Sequence, residues 1–195
     1  MSDPLFEEDS DATPLTEEEK QQLIPSYITL RSELNEAEQR NILEAETWAF
    51  SRKRNVLSED FLKQLHRRMF GNVWRWAGEF RQSERNIGVE VYRISMDLRQ
   101  LIDDCRYWVE HETYEPDEIA ARFSHLLVQI HPFPNGNGRH SRIAADLLLI
   151  SLGQERFSWG QANLVDANEV RQRYIDALHA ADRHDYRLLL RFVRS

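Results

Sequence analysis

The chain has 195 residues and a mass of 23.2 kDa, the size of one ordinary domain. Apolar residues make up 41% and charged residues 30%, so the chain can bury a core and keep a charged surface. A formal net charge of −8 argues against binding nucleic acid by neutralising phosphates, and the single Cys105 excludes an internal disulfide. The beginning of the chain lacks an apolar signal-peptide core, and no apolar run reaches the ~20 residues of a membrane span. We therefore expect a soluble, cytoplasmic protein that binds neither membranes nor nucleic acid directly.

Charge and apolar patterning divide the chain into an arm and one domain. Residues 1–15 contain five acidic side chains and little to bury, which is typical of a flexible arm. No repeat and no linker interrupts residues 16–195, which we predict to fold as a single domain.

Helical spacing of apolar residues dominates this domain. Polar residues that can cap a first turn are followed by apolar residues three and four positions apart. They predict helices that begin near Thr16, Ser32, Ser58, Leu98, Pro116, Arg139, Asp166 and Asp185. The second of these helices is predicted to cover residues 32–52.

The pattern changes between the third and fourth helices. Residues 79–94 carry Phe80, Ile87, Val89 and Val91 around Gly88, an alternation that predicts a β-hairpin. We therefore expect a mainly α-helical fold with one hairpin.

The most informative stretch lies between two well-patterned helices, at residues 131–142, and reads His-Pro-Phe-Pro-Asn-Gly-Asn-Gly-Arg-His-Ser-Arg. Gly136 and Gly138 allow positive φ and a close approach of the backbone to a ligand. Since the next helix begins near Arg139, its free amides and the positive end of its dipole point into the loop. That combination favours a bound phosphate.

Three charged or titratable side chains flank this loop. Arg139 and Arg142 are three residues apart and can share one helix face. His131, at the other rim, is placed to take a proton from an attacking hydroxyl. The alternative is a plain helix cap and turn with solvated arginines. The combination of features favours the phosphate site over that alternative.

The stretch resembles the signature of the Fic (filamentation-induced-by-cAMP) domain, His-x-Phe-x-Asp/Glu-Gly-Asn-Gly-Arg-x-x-Arg. Every defined position agrees except Asn135. The resemblance covers residues 34–193 and implies the Fic helical bundle with the 79–94 hairpin as a flap over the target. The short chain and its Asn-Gly-Asn-Gly variant also resemble the subgroup labelled mobile mystery protein B.

The resemblance implies an enzyme that transfers AMP from ATP to a hydroxyl of a target protein. His131 would then be the general base. Gly136, Asn137 and Gly138 would form the anion hole, and the β and γ phosphates would be bound by Arg139 and Arg142.

Asn135 replaces the acidic residue that Fic enzymes use to hold Mg²⁺. Its amide oxygen remains a possible ligand, but the missing charge predicts a weak Mg²⁺ site and weakened transfer.

Fic proteins are often inhibited by a helix bearing Ser/Thr-x-x-x-Glu-Gly/Asn. Ser32 and Glu36 resemble this pattern, whereas Ala37 departs from it. The alternative is that Glu36 forms a surface pair with Arg40, four residues along the helix. The second explanation is slightly favoured because such pairs are common on helices.

Two further functions remain open. Related proteins transfer other phosphate-containing groups, although kinase-like ones carry Ala-Asn-Lys in place of Gly136-Asn137-Gly138. Asn135 also suits a weakly active or inactive nucleotide-binding module that acts through protein contacts. The resemblance further implies a target protein and an antitoxin-like or DNA-binding companion protein, neither of which the sequence identifies.

Overall fold

The computed structural model describes residues 15–160 and 167–195. The predicted acidic arm lies outside these residues except for Leu15, and so does the predicted helix start at Asp166. None of the described helices combines the length and the apolar run that crossing a bilayer requires.

The described residues form eight α-helices, which confirms the prediction of a mainly helical fold. In chain order these helices are α1 (Glu17–Lys20), α2 (Arg31–Phe50), α3 (Glu59–Phe70), α4 (Ile94–Glu110), α5 (Pro116–Ile130), α6 (Asn137–Ser151), α7 (Ala167–Asp182) and α8 (Arg187–Val193). A 3₁₀ turn, Val91–Arg93, leads directly into α4.

Local capping explains where the first helices begin. The side chain of Thr16 accepts a hydrogen bond from the Glu19 amide, and the Glu19 carboxylate accepts one from the Thr16 amide, as the capping box predicts. Ser58 caps α3 as predicted. Ser32 does not cap α2, because the Glu33 carboxylate accepts hydrogen bonds from the amides of Thr29 and Leu30 and so fixes a start at Arg31.

Helices α5 and α6 pack against each other at the centre of the molecule. Small buried residues on both helices allow their backbones to approach closely, namely Ala120, Ala121, Ala144 and Ala145. One apolar cluster covers this pair from the side of α2, α3 and α4, and a second from the side of α7 and α8. The loop that joins α5 to α6 is therefore attached at both ends to the best-packed part of the fold.

The predicted hairpin at residues 79–94 is not present. Residues 79–90 form an irregular loop, here called the flap loop, in which no strand occurs. Its backbone pairs with the end of α5 and the residues beyond it: the Arg81 amide donates to the Pro132 carbonyl at 2.9 Å and the Val89 amide to the Ile130 carbonyl at 3.3 Å. Because these hydrogen-bonding groups find partners outside the segment, they are not used to pair one half of it with the other.

Candidate active site

Residues 131–136 form a short closed loop between α5 and α6, here called the motif loop. It begins at His131, in the left-handed conformation with φ of +54°, and ends at Gly136 with φ of +79°. The buried Asn137 side chain closes it, because Oδ1 accepts from the Phe133 amide at 3.0 Å and Nδ2 donates to the Phe133 carbonyl at 2.9 Å. The Phe133 side chain is fully buried and anchors the loop in the core.

The beginning of α6 offers backbone amides to a ligand. A Cβ on Gly136 would lie 2.5 Å from the Phe70 ring, so glycine is required there by both space and conformation. A Cβ on Gly138 would meet nothing within 4 Å, which leaves open space over the first turn. None of the described side chains caps this helix. The amides of Asn137 and Gly138 are therefore available to an anion.

The Gly136 amide has a different role from the one predicted. It donates to Oδ1 of Asn135 at 2.6 Å, inside the loop. Gly136 therefore provides the turn, and the amides open to an anion begin one residue later.

The side chain of His131 is buried at the end of α5. Burial, together with the nearby guanidinium groups of Arg81 and Arg85, lowers the pKa of its imidazole to about 4, and a hydrogen bond with the Val128 backbone opposes this shift. The ring is therefore neutral at neutral pH, and a neutral imidazole can accept a proton.

His66 of α3 packs against the motif loop and supports it, a role that the sequence does not reveal. Its ring stacks on Phe133 with 3.8 Å between centroids. Nδ1 accepts from the Gly78 amide at 2.9 Å, so Nε2 carries the proton and donates to the Asn135 carbonyl at 3.0 Å. Burial holds the pKa of His66 well below its usual value and keeps this arrangement neutral.

Arg139 is held by a glutamate that sequence reasoning missed. Its Nη1 lies 2.7 Å from Oε2 of Glu38, and the other carboxylate oxygen accepts from the Trp74 indole at 2.7 Å. Glu38 is buried on α2, four residues after the buried Leu34, and this helical spacing was the available signal. The Arg139 guanidinium also lies over the Phe70 ring, 4.8 Å from its centroid.

A large cavity of about 780 Å³ lies between α2 and α6, next to both motif arginines. Arg142 lines it and stands over the Tyr174 ring of α7, 5.8 Å from the centroid. Its other charged lining residues are Arg139, Glu46, Asp146 and Arg156. The volume falls within the range of small-molecule sites in proteins.

The structure does not bring Ser32 and Glu36 to the motif loop. The Glu36 side chain is 75% exposed, and its Oε1 lies 3.3 Å from Nη2 of Arg40. This is the surface pair expected from residues four apart on a helix.

Asn135 offers little to a metal ion. Its Oδ1 is already an acceptor for the Gly136 amide, and the described residues contain no group of three or more His, Cys, Asp or Glu side chains arranged to hold a metal. A single amide oxygen, without the charge of a carboxylate, fits at most a weak Mg²⁺ site whose other ligands come from a substrate.

Sequence comparisons find relatives over most of this chain. The model of the Fic/DOC family matches residues 56–149. Proteins named protein adenylyltransferase Fic are 30% identical in Aedes aegypti and 32% in Drosophila melanogaster, each over 145 residues. These alignments cover 72% of this chain and 28% of each relative, so the chain spans little more than a quarter of their length.

Solved structures show the same fold. Fic-1 (residues 134–508) of C. elegans is 25% identical, with a TM-score of 0.66 over 88% of this chain and 50% of that one. A Fic domain from Bartonella quintana with bound ADP gives a TM-score of 0.66 at 18% identity. The match covers 87% of this chain and 86% of that one. BepC from Bartonella tribocorum with bound AMPPNP gives a TM-score of 0.68 at 17% identity. The match covers 92% of this chain and 97% of that one.

Proposed function

Because this chain carries a domain of the Fic/DOC family, we propose that it is a protein adenylyltransferase, an enzyme that transfers AMP from ATP to a hydroxyl side chain of a target protein. One observation carries the proposal: a neutral buried imidazole lies at one end of the motif loop, and an uncapped helix start followed by two arginines lies at the other. Relatives with the same domain are named for this activity.

In this proposal His131 is the general base. Its neutral imidazole takes the proton from the target hydroxyl while that oxygen attacks the α phosphorus of ATP. The bond between the α phosphorus and the bridging oxygen breaks, and pyrophosphate leaves. The product is an AMP ester on the target side chain, and the protein itself forms no covalent bond.

The beginning of α6 would bind the phosphates. The amides of Asn137 and Gly138 point toward the open space above the helix start and would stabilise charge that develops during transfer. Arg139 and Arg142 would bind the β and γ phosphates, with the cavity between α2 and α6 receiving the leaving end. Asn135 would hold Mg²⁺ weakly through its amide oxygen, and the ion would offset phosphate charge.

ATP labelled at either the α or the γ phosphate tests the proposal. The purified protein, wild type and His131→Ala, is incubated with a cell lysate and each labelled nucleotide. We expect transfer of the α label by the wild type alone. Transfer of the γ label would instead indicate phosphorylation, and transfer of neither label with retained ATP binding would indicate a nucleotide-binding module, which Asn135 would suit.

The target protein and any antitoxin-like or DNA-binding companion remain to be identified, and a cytoplasmic location remains a prediction. Placement in the mobile mystery protein B subgroup is also a prediction. Tagged protein recovered from lysate, with and without a non-hydrolysable ATP analogue, would separate a stable companion from a target. A companion should bind in both conditions.

A further inference from the structure

The flap loop is attached to the end of α5 through three successive carbonyl groups. The carbonyl of Ile130 accepts from the Val89 amide at 3.3 Å, and that of Pro132 accepts from the Arg81 amide at 2.9 Å. Between them, the His131 carbonyl accepts from Nε of Arg81 at 2.7 Å. These bonds fix the peptide groups on both sides of His131 and therefore the left-handed conformation from which its imidazole projects.

Arg81 is an unusual side chain for a loop. It is 1% exposed, and its guanidinium donates to three carbonyls, those of His131, Ser83 and Val89. The adjacent Glu84 carboxylate lies 3.7 Å from Nη1 and accepts from the Val91 amide at 3.0 Å. A buried charge is retained in a fold when its donors are satisfied in this way. Arg81 thus joins both ends of the flap loop to His131.

Gly88 completes this contact from the opposite side. Its φ is +96°, and a Cβ there would lie 2.7 Å from Cβ of His131 and 2.8 Å from Nη2 of Arg81. No side chain larger than hydrogen fits between the flap loop and the base.

From these contacts we propose that Arg81 is a positioning residue for the general base: its guanidinium, bound to the His131 carbonyl, sets the direction of the imidazole and makes it depend on the conformation of the flap loop. The inference rests on the proposed adenylyl transfer. Arg81 touches neither substrate nor reacting atoms in this scheme, so its effect on transfer passes through His131.

The charge of Arg81 supports the same role. The guanidinium opposes protonation of His131, as does that of Arg85, which pairs with Glu19. Removing the Arg81 charge should therefore raise the pKa of His131, whereas replacing it with another cation should not.

The test compares Arg81→Gln, which loses the charge, with Arg81→Lys, which keeps it. In AMP transfer we expect kcat to fall about 100-fold in Arg81→Gln, the loss typical of a misplaced catalytic group, and less in Arg81→Lys. KM for ATP should change less than about twofold in both, because the phosphate-binding groups lie on α6. In parallel, NMR of ¹³C-histidine-labelled protein follows the His131 imidazole, assigned by its loss in His131→Ala. Its pKa should rise in Arg81→Gln and stay near that of the wild type in Arg81→Lys.

Arg67→Gln is the matched control, since Arg67 is 60% exposed and binds Glu79 in the same loop. An unchanged His131 titration in folded Arg81→Gln, or an equal loss of kcat in Arg67→Gln, would overturn the inference. If Arg81→Gln does not fold, Arg81→Lys decides, because an ammonium keeps the charge but cannot reach all three carbonyls at once: kcat should still fall with KM for ATP unchanged, and full activity would overturn the inference. A wild type without α-label transfer defeats the proposed function, and the NMR comparison still decides the role of Arg81.

Discussion

Glu38 and Arg139 are 101 residues apart in the chain, yet their side chains form an ion pair of 2.7 Å between Oε2 and Nη1. Glu38 thereby neutralises one of the two arginines that would bind the phosphates of ATP. We expect Glu38→Gln to tighten ATP binding about fivefold, or ~1 kcal/mol, because the amide can still accept from Trp74 but carries no charge. Calorimetric titration with ATP measures the change.

The control for Glu38→Gln is the same substitution at Glu36, two residues earlier on α2. Glu36→Gln removes the same charge from the opposite, exposed face of α2, and ATP affinity should stay that of the wild type. Equal tightening by both variants would mean that the overall charge of the protein, rather than the pair with Arg139, sets the affinity.

His131→Ala should lower kcat for transfer by a factor of about 10² to 10⁴, the usual contribution of a general base. ATP binding should persist, since the amides and arginines of α6 are untouched. Rapid-quench transfer assays and equilibrium binding of ATP separate the two effects. His179→Ala, at an exposed position on α7, is the control that should behave like the wild type.

The pH dependence of transfer should differ from that of an enzyme whose general base is a histidine of ordinary pKa. With a pKa of about 4, His131 stays neutral well below 6.5, so kcat/KM should be nearly flat between about pH 8 and pH 5. Bound triphosphate favours the imidazolium, so the acid limb of kcat should lie at higher pH than that of kcat/KM. A fall in kcat/KM centred on 6.5 would contradict the buried position of this ring.

Asn135→Asp should restore a carboxylate to the motif loop without removing the acceptor for the Gly136 amide. We expect a lower Mg²⁺ concentration at half-maximal transfer, because a carboxylate binds the ion more strongly than an amide does. Transfer rates over a Mg²⁺ titration provide the measurement. Asn55→Asp, the same change at an exposed site, should leave the curve in place.

His140 should make folding stability depend on pH. Its ring is fully buried, donates from Nε2 to the Leu62 carbonyl, and has its pKa lowered by burial to about 4. Unfolding returns this pKa to about 6.5, so the unfolded chain binds an extra proton in that interval. Stability should fall as pH decreases from 6.5 to 4, by at most about 3 kcal/mol from this group, and level off below.

Urea unfolding at several pH values measures this effect. His140→Gln can keep the bond to Leu62 but does not titrate, so its stability should decline less over the same interval. An identical decline in both proteins would assign the pH dependence to other groups.

The helices were predictable because their signals are local. The capping box at Thr16 and the serine cap at Ser58 act within one turn. The hairpin prediction was wrong for the opposite reason: apolar alternation around Gly88 is the same whether the chain pairs with itself or with a distant carbonyl. The partners of the flap loop, Ile130 and Pro132, lie more than 40 residues away.

For the candidate site, the sequence locates the loop but not what holds it. The motif residues from His131 to Arg142 are continuous, so their shared chemistry is visible before folding. Arg81, His66 and Glu38 act through partners that only the packed helices bring near. Helical spacing distinguishes Glu38 from Glu36, because a separation of two residues turns the side chains to opposite faces.

The His66 ring links the two loops at which a target and a nucleotide would bind. One ring nitrogen binds Gly78, beside the flap loop, and the other binds Asn135 in the motif loop. A target docked against the flap loop and a nucleotide bound at the motif loop would each restrain the same ring. Thermodynamic reciprocity then requires that whichever substrate arrives first alters the affinity for the second by the same factor in either order.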